Sequence, residues 1–144
     1  MSRCVFAAVV LVAIAACVGC GPEVGPVSGV VTLDGKPVPE AKVQFMPLPQ
    51  PDHPEVTKMV GLGKTDADGR YSLTIFEGPE GAVVGENRVW ISTAVEDEKN
   101  TSKLLAPERI PYAYNVQSKL TYDVPPGGTD QADFNLTSDG APVQ

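Results

Sequence analysis

Val27-Ser28-Gly29-Val30-Val31-Thr32-Leu33-Asp34-Gly35-Lys36-Pro37-Val38 is the stretch on which the fold class turns. Val27, Val31 and Leu33 fall on one face of an extended chain, and Ser28 and Thr32 on the other. That period of two is what a half-buried strand requires. Asp34-Gly35 then supplies a turn, because glycine takes the positive φ of a tight hairpin at no steric cost. After Pro37 and Pro39 the alternation resumes. Ala41, Val43 and Phe45 point toward a core, and Lys42 and Gln44 toward water.

The same grammar continues outward. Pro47 to Pro54 is rich in proline, which cannot donate to a sheet ladder, so a loop is predicted there. Lys58 to Lys64 reads as a weak strand, and Thr65-Asp66-Ala67-Asp68-Gly69 as a hairpin turn with Gly69 suited to the left-handed position. A strand over Arg70 to Phe76 buries Tyr71, Leu73 and Ile75. Gly78 to Gly85 is a turn region with a short extended piece at Ala82 to Val84. Asn87 to Val95 is the longest candidate strand, with Val89, Ile91 and Thr93 on one side and Arg88, Trp90 and Ser92 on the other. The polar run Glu96 to Lys103 reads as an exposed loop, and Leu104 to Val116 as irregular or a single helical turn. Leu120, Tyr122 and Val124 point inward, Pro125 to Gly128 turn, and Ala132, Phe134 and Leu136 form a last strand.

Fourteen glycines and fourteen prolines punctuate the 144 residues too often for helices. About seven short strands separated by turn signals predict an all-β, immunoglobulin-like sandwich over residues 27–137. Residues 138–144 read as a frayed tail. No internal repeat or second domain is visible. The chain carries 11 basic and 18 acidic residues, net −7. That balance disfavours nucleic acid and anionic lipid surfaces as partners.

The amino-terminal residues set a location. Arg3 precedes an apolar run from Val5 to Ala16, and small residues beside cysteine follow, as in a secretory signal over residues 1–19. The run is too short to cross a bilayer, which takes about 20 residues. The junction resembles a bacterial lipobox: Ile14-Ala15-Ala16-Cys17 has the better aliphatic match, whereas Val18-Gly19-Cys20-Gly21 leads directly into a Gly-Pro tether over residues 20–26. Cys20 is the preferred lipidation site and Cys17 the alternative. The resemblance implies cleavage before the cysteine, acyl chains on its sulfur and new amino group, and a cell-envelope protein facing the periplasm or the exterior. Each buried CH₂ of an acyl chain contributes ~0.8 kcal/mol of membrane attachment. Cys4, Cys17 and Cys20 are the only cysteines. The domain itself must therefore be held by its core without disulfides.

With these residues laid out, the chain resembles the carboxypeptidase regulatory-like domains, which share a transthyretin-like sandwich. Gly29 to Val38, with Ala41 and Val43, carries their opening pattern, and Thr65-Asp66-Ala67-Asp68-Gly69-Arg70-Tyr71 their second signature. Ile110 to Asn115, Lys119 to Thr121 and the Pro125 to Gly128 turn look like small bacterial lipoproteins of this group. The resemblance spans roughly Val27 to Leu136. It implies a fold and no peptidase, since in the carboxypeptidases this module is an accessory beside a separate zinc enzyme.

Chemistry is sparse. A zinc site takes three or four ligands, and the one histidine, His53, lies between Asp52 and Pro54 with no second ligand at metal spacing. No G-x-S-x-G elbow is present. Asp66-Ala67-Asp68-Gly69 resembles half a calcium loop, but Lys64 and Ile75 would occupy the first and last ligand positions, so it reads as a turn. No metal, cofactor or catalytic residue is therefore expected. Trp90 is the residue to watch. Its strand position beside Arg88 makes the pair candidate ligand contacts, although core or inter-strand packing is the commoner fate of tryptophan. Tyr112 and Tyr114 read as pinning a loop over the end of the sandwich. The sequence thus predicts a non-enzymatic, lipid-anchored interaction or structural module with an envelope protein as partner, or else a carbohydrate-binding module using an exposed aromatic face.

Overall fold

The structure is a computed structural model, and it describes residues 21–143. The expected signal segment and both candidate lipidation sites, Cys17 and Cys20, lie outside the described residues. Thirteen strand segments follow in order: β1 (Val24–Gly25), β2 (Ser28–Leu33), β3 (Lys36–Pro37), β4 (Lys42–Pro47), β5 (Gly61–Lys64), β6 (Arg70–Ser72), β7 (Thr74–Ile75), β8 (Ala82–Val83), β9 (Gly85–Ser92), β10 (Val95–Asp97), β11 (Asn100–Ala106), β12 (Thr121–Val124) and β13 (Phe134–Leu136). Two 3-10 turns, Pro54–Lys58 and Tyr112–Tyr114, are the only helical pieces among the described residues.

A five-stranded sheet runs β12-β9-β4-β5-β7, and a second joins β13, β2 and β3, with β6 also on β2. All pairs are antiparallel except β2 with β13, which run in parallel. One hydrophobic cluster draws on both sheets: Val43, Phe45, Val89, Ile91 and Val124 from the first, Val31, Phe134 and Leu136 from the second. The protein is all-β and sandwich-like. Phe45 lies at its centre, with ring centroids 5.7 Å from Tyr122 and 6.0 Å from Phe134, so three aromatics tie β4 and β12 to β13. Tyr71 is buried and donates its hydroxyl to the Ala132 carbonyl at 2.6 Å. Burial, with smaller contributions from Tyr122 and Asp133, pushes its phenol well above the ordinary range, so it remains a neutral donor.

The predicted core faces hold, since Ala41, Val43, Phe45, Val89 and Ile91 are all fully buried. The predicted turn at Thr65 to Gly69 is also present. The Asp66 carboxylate accepts the N–H groups of Asp68 and Arg70 at 2.9 Å each, and Gly69 has φ +74°. Those bonds occupy one Asp66 oxygen in the turn itself.

Three expectations change. The strand predicted over Arg70 to Phe76 divides at Leu73: β6 pairs with β2 in one sheet and β7 with β5 in the other. A strand that switches sheets closes one side of the sandwich, and this division helps explain why more segments than seven are counted. Residues 24–26, read as tether, belong to the fold. β1 pairs with β8, and Val84 N–H donates to Glu23 O at 2.9 Å. The tail is held as well: Tyr114 Oη donates to Ala141 O at 2.5 Å, and Val143 packs on the core. The proline-rich loop is present as predicted, and a 3-10 turn over Pro54–Lys58 follows it, with Val56 buried beside Ile75 and Val83 in a second small cluster.

Candidate functional site

Along β9, Asn87, Val89 and Ile91 enter the core, so Glu86, Arg88, Trp90 and Ser92 lie on the outer face, where Ser92 is nevertheless buried. The register with β4 places Lys42 opposite Ser92, Gln44 opposite Trp90 and Met46 opposite Arg88. Leu62 of β5 pairs with Gln44 and extends the Trp90 row. Trp90 is half-buried on this outer face and not in the core. Arg88 is exposed on the same face.

The segment from Val95 to Val116 faces Trp90 across a cleft. The polar run predicted as a loop forms an irregular antiparallel ribbon, β10 with β11. Its seven-residue strand β11 is exposed almost throughout. Between this segment and the sheet lies a cleft of about 320 Å³, lined by Trp90, Gln44, Lys42, Leu104, Tyr112 and Val116 among others. Leu104, Tyr112 and Val116 are 57%, 68% and 77% exposed, three of the six large hydrophobics most open to water among the described residues. Arg88 lies outside the cleft. The two tyrosines expected to pin a loop divide their roles. Tyr114 is buried and bonds the tail, whereas Tyr112 stands at the cleft rim. A second cleft of about 320 Å³ lies beside Tyr114, lined in part by the chain's own tail at Gly140, Pro142 and Val143.

The side chain that builds the cleft is Glu108, which the sequence reading passed over. Its Oε1 accepts Thr93 N–H and Thr93 Oγ1–H at 2.8 Å each, Ile110 N–H at 2.9 Å and Arg109 N–H at 3.0 Å. Ser92 Oγ donates to Oε2. The Arg109 guanidinium adds a bond to the Pro39 carbonyl at 2.8 Å. Three of these five donors, from Ser92 and Thr93, fasten the segment after β11 to the end of β9, and the other two brace Glu108 within its own loop. The available signal was Pro107-Glu108-Arg109-Ile110-Pro111, an acid flanked by prolines that leave few local hydrogen-bond partners.

Partial burial raises the Glu108 carboxyl, but bonds from Ser92, Thr93 and Ile110 outweigh it and hold the group below its ordinary value of 4.5. A carboxyl depressed in the folded state adds stability above its unfolded value and loses it as pH falls through the folded value. Wild type is therefore expected to lose about 1 kcal/mol more than Glu108→Gln between pH 7 and pH 3, after discounting for solvent screening. Urea unfolding at the two pH values measures the difference, and parallel losses in both proteins would refute the assignment.

The His53 side chain meets Glu55, Nδ1 to Oε1 at 3.1 Å, and is not among the cleft residues. Among the described residues no group of three His, Cys, Asp or Glu side chains is placed to hold a metal ion, and no helix is long and apolar enough to cross a membrane. Set against protein-family models, curated proteins and solved structures, the chain matches none. The geometry of the cleft is thus the main guide to what this surface does. Its half-buried indole, exposed phenol, amide and ammonium suit binding.

Proposed function

We propose that this is a bacterial envelope lipoprotein whose carboxypeptidase regulatory-like, transthyretin-like sandwich acts without catalysis as an interaction module. Export, acylation and the periplasmic or exterior location follow from the Arg3 to Gly21 pattern. One observation carries the reading: the lipobox-like cysteines abut the first strand. Cys20 precedes Val24 by four residues, at most about 14 Å of extended chain. Acylation at Cys20 therefore sets the β1 end of the sandwich against the bilayer.

The consequence for the cleft follows from strand direction. Gly85, where β9 begins, adjoins the Glu23 to Val84 contact beside the tether. Trp90 lies five residues further along β9, about 17 Å away at strand rise. The anchor would hold the sandwich while the cleft stood clear of the membrane for a partner in the envelope.

Labelling cells with an alkyne-bearing fatty acid tests the anchor. Wild type and Cys17→Ser are expected to incorporate label, and Cys20→Ser to lose it. Loss in Cys17→Ser alone would move the anchor to the alternative site. An unlabelled wild type, or label surviving the double substitution, would end the proposal.

A second reading, carbohydrate binding on the aromatic face, is favoured by the cleft at Trp90. An indole face and a phenol at the rim can stack on a sugar's C–H face, and the Gln44 amide can both donate to and accept from hydroxyls.

A further inference from the structure

The neighbours of Trp90 on the outer sheet face follow from the register. Gln44 lies opposite on β4, Lys42 and Met46 lie diagonally, Thr121 lies diagonally on β12, and Arg88 and Ser92 lie two residues away on β9. Two of these six are cations and none is an acid, in a chain whose acids outnumber its bases 18 to 11. Diagonal and alternate positions lie about 7 Å from the indole's own, within reach of long side chains. A ring stacked on Trp90 therefore has Lys42 beside it inside the cleft and Arg88 on the same face just outside it. The next cation along the row, Lys64, is already paired with Glu40. Of the acids that line the cleft, Glu108 is engaged by five donors, and Glu96 stands on the opposite wall, on β10.

We infer that this face binds a saccharide whose ring bears a carboxylate, of the uronic acid class. The inference rests on the carbohydrate reading and narrows it. The indole takes the apolar ring face, the Gln44 amide the hydroxyls, and Lys42 or Arg88 the carboxylate through a charge-assisted hydrogen bond. A neutral sugar would leave both cations unused, and a long polyanion would meet the repulsion of a protein of net charge −7. A short acidic oligosaccharide avoids both problems.

Trp90 is the only tryptophan in the chain, so its fluorescence reports occupancy directly. The full-length protein in detergent is titrated with trigalacturonate and with its fully methyl-esterified form, which keeps the rings and removes the charge. The acid is expected to bind about tenfold more tightly than the ester, the size of one charge-assisted bond. Lys42→Gln or Arg88→Gln, both surface changes that leave the core intact, should reduce that preference, as should high salt. Equal affinity for acid and ester would overturn the acidic class and leave carbohydrate binding standing. Absence of a response to either, checked by calorimetry, would overturn both.

Discussion

Phe45→Ala is expected to lower the unfolding free energy by about 3–5 kcal/mol, the cost of deleting a fully buried aromatic whose site cannot collapse. Phe45 is wholly buried and sits at the meeting point of the two sheets, touching Tyr122 on one and Phe134 on the other. Aromatic pairs at such spacing add about 0.5–1.5 kcal/mol beyond their burial, so two contacts are lost with one ring. Domains of this size are stable by only about 5–15 kcal/mol. With no cysteine between Gly21 and Gln144, no disulfide limits the damage. The measurement is urea unfolding followed by circular dichroism. A loss under about 1 kcal/mol would mean that the sheets do not pack through this ring.

Gly29→Ala is expected to cost about 3 kcal/mol, the upper end of overpacking, although it adds a single methyl group. A Cβ at position 29 would lie 2.0 Å from the Ala132 carbonyl oxygen, which is backbone and has no rotamer to swing away. Ala132 N–H donates to Ser28 O at 3.0 Å, so the methyl would push apart the approach of the last strand to the first long one. The control is Gly35→Ala. That glycine has φ +78° and nothing near its Cβ, so alanine there meets backbone strain alone, about 1 kcal/mol. If the two substitutions proved equal in urea unfolding, the close approach at Gly29 would be disproved.

Gly29 also marks how far the sequence could be read. It belongs to the motif that drew attention to the fold, yet the motif gave no reason for glycine at that position. The reason is a contact between residues 103 positions apart. Glu108 was illegible for the same cause: its donors come from β9 and from its own loop, and only the fold brings them together. The strand face that carries Trp90 was legible from the alternation, although core or inter-strand packing was the favoured expectation for it, and its cleft was not legible. The wall of that cleft is a ribbon written as Glu-Asp-Glu-Lys-Asn-Thr-Ser-Lys, whose composition suits an exposed loop and an exposed hairpin equally well.

Local pattern by itself determined that this chain is all-β and which side chains of its main strands are buried. Both follow from a period of two and from proline and glycine breaks, which need no information beyond neighbouring residues. Tertiary structure alone decided that Leu73 is a crossing point between sheets, that the tether and tail residues join the fold, and that Glu108 ties down one wall of a cleft over Trp90. Each of these depends on hydrogen bonds and packing between segments distant in the chain, and such pairings leave no periodic trace in either partner's own sequence.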